Sequence, residues 1–177
     1  MKHMKYIPLI AALFFAINLQ AQEAITEAFG MKLGSTFDPS SAIGTSKLTD
    51  GTPMYQFSPD KTFRSFQKYY VMITPQTKKI YCIWATGPFE NTPTAQKEQD
   101  LIMVLLKKKY GEKQKEGLFD SLGDIKRIDH GNRYIITKVS GFMDATLDIR
   151  YYDSDLEKEA EKERLAIEAT KVDSGGL

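Results

Sequence analysis

The sequence predicts an α+β fold: an antiparallel sheet of two hairpins plus a short N-terminal strand, with helices packed mainly on one side. Three observations carry this. Residues 69–86 and 133–152 are each a pair of apolar-rich runs around a short turn signal. Residues 92–110 and 154–170 each open with capping residues and continue in good helix formers. Short polar connections join these segments in one chain of ordinary domain length.

Taken in order, Phe29, Met31 and Leu33 alternate with Gly30, Lys32 and Gly34, which reads as a short half-buried strand. Asp38-Pro39 opens a brief helix, because Asp can accept from the first free amides and Pro suits the first turn; Gly44 is placed to end it. Residues 45–52 read as a loop, and Met54–Phe57 as a strand. Tyr69–Thr74 and Lys79–Thr86 form the first hairpin around Pro75-Gln76-Thr77-Lys78. Its apolar residues fall on both faces, Tyr69, Val71 and Ile73 on one and Tyr70 and Met72 on the other, so a central strand covered on both sides is expected.

Thr92-Pro93 is expected to cap and start the strongest helix, with Ile102, Leu105, Leu106 and Tyr110 on its apolar side. Lys107, Lys108 and Lys109 complement the negative end of the helix dipole, and Gly111 supplies the stop. Residues 112–131 read as a polar excursion pinned by Leu118, Phe119 and Leu122. Arg133–Ser140 and Ala145–Tyr152 form the second hairpin around Gly141. Ala145, Leu147, Ile149 and Tyr151 face inward there, while Thr146, Asp148 and Arg150 face solvent. Ser154, with Glu157 three residues on, reads as a capping box opening a last, highly charged helix.

Residues 1–21 are laid out as a cleaved secretory signal. Lys2 and Lys5 form a positive start, Ile7–Ile17 an apolar run, and Asn18–Ala21 a polar stretch ending in a small residue. Cleavage is expected between Ala21 and Gln22. The apolar run is shorter than the roughly 20 residues of a spanning helix, so no membrane span is expected after processing. Removing 21 residues from 177 leaves 156, expected as one domain over 22–171 with a flexible tail at 172–177. Without Lys2 and Lys5 the side chains number 22 basic and 23 acidic, and that balance argues against nucleic acid as a partner.

Motifs for chemistry are weak. Cys82 is the single cysteine and lies in a strand-like apolar run, where it reads as a small buried hydrophobe. Outside the signal the one histidine is His130, in a turn-like Asp129-His130-Gly131-Asn132, with no cysteine-protease motif around it. One histidine and one cysteine do not make a zinc site. Asp153-Ser154-Asp155-Leu156-Glu157 lacks the glycine and spacing of a calcium loop. Asp120, Asp124, Asp129, Asp144 and Asp148 offer carboxylates for glycoside cleavage, but acids are common on any surface. No cofactor is expected.

Phe29-Gly30-Met31-Lys32-Leu33-Gly34 followed by a short helix resembles the entry motif of small exported α+β modules, the outer-membrane assembly lipoproteins and the β-lactamase-inhibitor-like domains. The likeness covers residues 29–44 in motif and the 69–86 hairpin in order. The chain departs from those families in its very short first helix, in lacking the lipid-attachment cysteine and in adding a helix and hairpin after residue 91. What the resemblance implies is a binding module rather than an enzyme.

The sequence therefore leads to a periplasmic or secreted protein that acts on another envelope or secreted protein, as an inhibitor, immunity-type or envelope-assembly factor. A small carboxylate-based hydrolase and a small-ligand carrier are the alternatives. Tyr152, Arg150 and Asp148, on the outward face of the second hairpin, are the candidate contact residues, since tyrosine and arginine are enriched at the energetic centres of interfaces. Tyr134 and Tyr151 are expected to complete the core. The strand carrying Trp84 is the next candidate.

Overall fold

A computed structural model describes residues 23–63, 65–111 and 124–174. Strands β1 (Glu27–Ala28) and β2 (Met31–Lys32) precede a single 3-10 turn at Pro39–Ser41. Then come β3 (Gly44–Lys47), β4 (Pro53–Gln56), β5 (Lys68–Ile73), β6 (Ile80–Asn91) and helix α1 (Thr92–Tyr110). The chain closes with β7 (Ile125–His130), β8 (Arg133–Ser140), β9 (Met143–Asp153) and helix α2 (Ser154–Ser174). Seven strands form one sheet in the order β3-β4-β5-β6-β9-β8-β7, every pair antiparallel. The fold is α+β.

The order follows from connection lengths. β3 to β6 follow one another in sequence and lie side by side, β3–β4 and β5–β6 through short turns and β4–β5 through the longer connection 57–67. α1 carries the chain across one face, and β7 and β8 then return it so that β9 pairs with β6. The two longest strands thus sit at the centre, in register from Cys82 opposite Tyr152 to Asn91 opposite Met143.

Because side chains alternate along a strand, this register sorts them onto two faces. On the first face Val71, Ile83, Ala85, Ile135, Leu147, Ile149 and Tyr151 meet Ala95, Ile102, Met103, Leu106 and Tyr110 of α1 in the main core. On the second, Met54, Met72, Tyr81, Cys82 and Tyr152 meet Ala160 of α2, flanked by Trp84, Tyr134 and Leu156. Helices therefore cover both faces, unequally. The expected packing mainly on one side describes α1, which buries six residues. Among its described side chains α2 buries Ala160 alone. The reason lies in β5, β6 and β9, whose second-face residues near α2 are also apolar and need a cover.

Several local features differ from expectation. Phe29 is not mid-strand. With φ of 55° it forms, with Gly30 at 87°, the two-residue turn between β1 and β2. A non-glycine residue there is strained. Edge-on ring contacts with Phe66, Tyr69 and Tyr151, centroids 5.0–6.1 Å apart, hold Phe29 in place. Residues 44–47 form an edge strand rather than a loop, and Gly44 begins it. The C-terminal part of the expected polar excursion is strand β7; residues 112–123, with Leu118, Phe119 and Leu122, lie outside the described residues.

The helix caps also move by one position. Asn91, not Thr92, caps α1 by accepting from the Thr94 amide at 2.9 Å. Thr92 instead donates to the Gly141 carbonyl at 2.8 Å, tying the helix start to the second hairpin. Asp153, not Ser154, caps α2, accepting from the amides of Asp155 and Leu156 at 3.2 Å. Gln99 locks α1 to the sheet: fully buried, it donates to the carbonyls of Asp124 and Thr137 at 3.0 and 3.2 Å. Leu105, expected in the core, is 47% exposed and shares the outer side of α1 with Leu101 and Val104.

A candidate interface on the second face of the sheet

The register places side chains of the second face in rows across the strands. Tyr70, Trp84, Arg150, Ile136 and Arg127 form one row. Toward α2 the next row is Met72, Cys82, Tyr152, Tyr134 and Asp129. Away from α2 it is Lys68, Thr86, Asp148, Lys138 and Ile125.

α2 lies over the Tyr152 row. Tyr134 donates to Glu157 at 2.9 Å, and Gln76 and Thr77 at the β5–β6 turn donate to Glu163 and Glu159. Farther along, Arg164 donates to the Thr52 hydroxyl at 2.5 Å. The helix thus crosses one end of the sheet on polar contacts. Among the described residues no helix covers the Lys68–Lys138 row, and a hollow of about 230 Å³ opens there between Gln67, Lys68, Thr86, Gly87, Pro88 and Thr146. Gly87 is required at its floor, since a Cβ there would come within 1.9 Å of the Ser65 carbonyl oxygen.

The three candidate residues come together on this face, but not as a solvated surface. Tyr152 is 8% exposed and Asp148 7% exposed. Arg150 lies with its guanidinium carbon 3.9 Å from the Trp84 ring centre and donates to Asp148 at 3.0 Å. Burial works against the arginine charge, yet Tyr152 and Asp148 outweigh it and hold Arg150 above its ordinary pKa. Trp84, the fallback candidate, is therefore part of the same constellation; sequence offered no direct signal that Arg150 and Trp84 are cross-strand partners. Trp84 Nε1 and Arg150 Nε are buried donors without a hydrogen-bond partner. Such orphans are costly and uncommon.

A parallel pair lies toward the β7 edge. Arg127 sits 3.9 Å over the Tyr134 ring and grips Asp129 through Nε at 3.0 Å and Nη2 at 2.6 Å. Tyr134 in turn stacks on Tyr152, centroids 4.8 Å apart. Tyr134 thus lies on this face; Tyr151 points the other way, into the main core.

The reactive groups weighed from sequence are occupied or apart. Cys82 is fully buried, and burial pushes its thiol well above the ordinary range. His130 lies three strands away, about 14 Å at ordinary strand spacing, and alternation puts it on the opposite face. Asp124 accepts from Gln96, Asp129 from Arg127 and Asp148 from Arg150, while Asp153 pairs with Arg133. Asp120 lies outside the described residues. Among the described residues no three of His, Cys, Asp and Glu are grouped to hold a metal ion, and no helix is long and apolar enough to cross a membrane.

Compared with known proteins, the chain matches no family model, no curated protein and no solved structure.

Proposed function

We propose that this chain is an exported, non-enzymatic protein-binding module, and that the open half of the second sheet face is its contact surface. One observation carries the reading: an arginine stacked on the single tryptophan, with an orphan donor on each, at the border where α2 stops covering the sheet. Aromatic and arginine side chains in such settings are the usual anchors of interfaces. The binding role matches what the resemblance at residues 29–44 implies. The layout of residues 1–21 favours a partner among envelope or secreted proteins.

Lys68 and Lys138 flank the site and are exposed, so both can be changed without disturbing the core. The tagged protein and a Lys68→Glu/Lys138→Glu double variant are to be compared in capture from envelope extracts, with circular dichroism confirming equal folding. A Lys108→Glu/Lys162→Glu variant, altered on the two helices, is the control. The proposal expects a partner held by wild type and control and lost, about tenfold or more, from the open-face variant. Equal capture by all three would overturn it.

A further inference from the structure

A second cleft lies at the end of the sheet, beside the last turns of α2. It measures about 300 Å³ and is bounded by the β3–β4 turn, the β5–β6 turn and the helix. That is the low end of small-molecule sites. Its walls divide by chemistry. Pro53, Tyr55, Ile73, Pro75 and Ile167 supply the apolar lining of a wedge, and three cations, Lys78, Arg164 and Lys171, line it against two acids, Asp50 and Glu168.

The wedge exists because of how α2 is held. The helix meets this end of the sheet through Glu163 on Gln76, Glu159 on Thr77 and Arg164 on Thr52. These polar contacts fix its position without filling the space beneath Ile167. Apolar surface left open in this way is stabilised by whatever apolar group enters it.

Lys78 supplies the polarity. Its backbone is held at φ of 56°, in the turn between β5 and β6. Its Nζ donates to the Pro75 carbonyl, and no ion pair among the described residues includes it. Neither lining acid is ion-paired with it: Asp50 accepts from the Thr52 amide at 2.9 Å, and Glu168 forms no salt bridge with Lys78. A half-buried ammonium bonded to a neutral carbonyl favours an anion as its next neighbour.

We infer that this cleft binds a small anionic amphiphile, its carboxylate on Lys78 and its apolar tail against Tyr55, Ile73 and Ile167. The site is separate from the proposed protein-contact surface and does not depend on it.

Sodium decanoate and decylammonium chloride, both below the concentration at which they form micelles, are to be titrated into the purified chain by calorimetry. Decanoate should bind at millimolar strength or better, and decylammonium about tenfold more weakly. Lys78→Gln should remove most of that preference while leaving the thermal midpoint unchanged. Ile167→Asp, on the exposed side of the wedge, should abolish decanoate binding. No decanoate binding to wild type, equal binding of both ions, or full binding by Lys78→Gln would each overturn the inference.

Discussion

The two faces of the seven-stranded sheet are built from the same strands but by different rules. On the α1 face side chains from six strands and the helix merge into one apolar core, where the buried Gln99 has its amide nitrogen bonded to Asp124 and Thr137 and its Oε1 without a partner. On the α2 face the apolar cluster is small, Tyr134 stacks on Tyr152, Arg127 and Arg150 lie over Tyr134 and Trp84, and among the described residues no helix lies over the Lys68–Lys138 row. A sheet can be stable with one well-packed face. The first face is therefore assigned to stability, and the proposed contact surface lies on the second.

The largest expected effect that tests this contrast is alkaline unfolding. Tyr81, Tyr134 and Tyr152 on the second face and Tyr151 on the first are all held above the ordinary tyrosine value of 10.0, chiefly by burial. In the unfolded chain they ionise first, so above about pH 10 the unfolded state holds fewer protons than the native one. Stability should be full below that pH and fall as pH rises through the native values, by up to about 1.4 kcal/mol per pH unit for each buried group. Urea melts at about pH 8 and pH 11 check this, and Tyr152→Phe should flatten the decline. A stability unchanged over that range would show the tyrosines to be open to solvent.

Next in size is truncation of the main core. Leu147 is fully buried under α1, and Leu147→Ala should cost about 3 kcal/mol in chemical denaturation. Cys82, equally buried but small, should lose about 1 kcal/mol or less as Cys82→Ala, and the native thiol should resist labelling reagents. The smallest effect belongs to the open rows: Lys138→Ala should change stability by less than about 0.5 kcal/mol. If Lys138→Ala were as damaging as Leu147→Ala, the division of labour between the faces would fail.

How far the sequence revealed this arrangement depends on which force fixed each part. The hairpins 69–86 and 133–152, and the placing of Tyr151 and Tyr152 on opposite faces, follow from alternation alone and are found as expected; Tyr152, expected to face solvent, is instead buried under α2. Edge strands were hidden. Gly-Thr-Ser-Lys at β3 has no apolar alternation, and β7 mixes Ile125 and Ile128 with Lys126, Arg127 and Asp129, because an edge strand is chosen by its neighbour's free backbone rather than by its own side chains. The cap shifts at Asn91 and Asp153 arise because Thr92 and Ser154 find tertiary partners in Gly141 and Asn132. The face of Asp148 and Arg150 was expected to be solvated; its burial comes from cross-strand pairing with Trp84, Thr86, Ile136 and Lys138, a relation between segments far apart in sequence. Arg150 and Tyr152 could be nominated from residue type, but their coupling through Trp84 and Tyr134 required the register.

The most direct test of the account asks which surface touches the partner. A photo-crosslinking residue is to be placed singly at Thr86, on the uncovered half of the second face, or at Val104, exposed on the outer apolar side of α1. Each variant is illuminated in cells producing the full chain, and adducts are resolved by mass. The account predicts a discrete protein adduct from Thr86 and none from Val104. An adduct from Val104 with none from Thr86 would contradict it and assign the contact surface to α1.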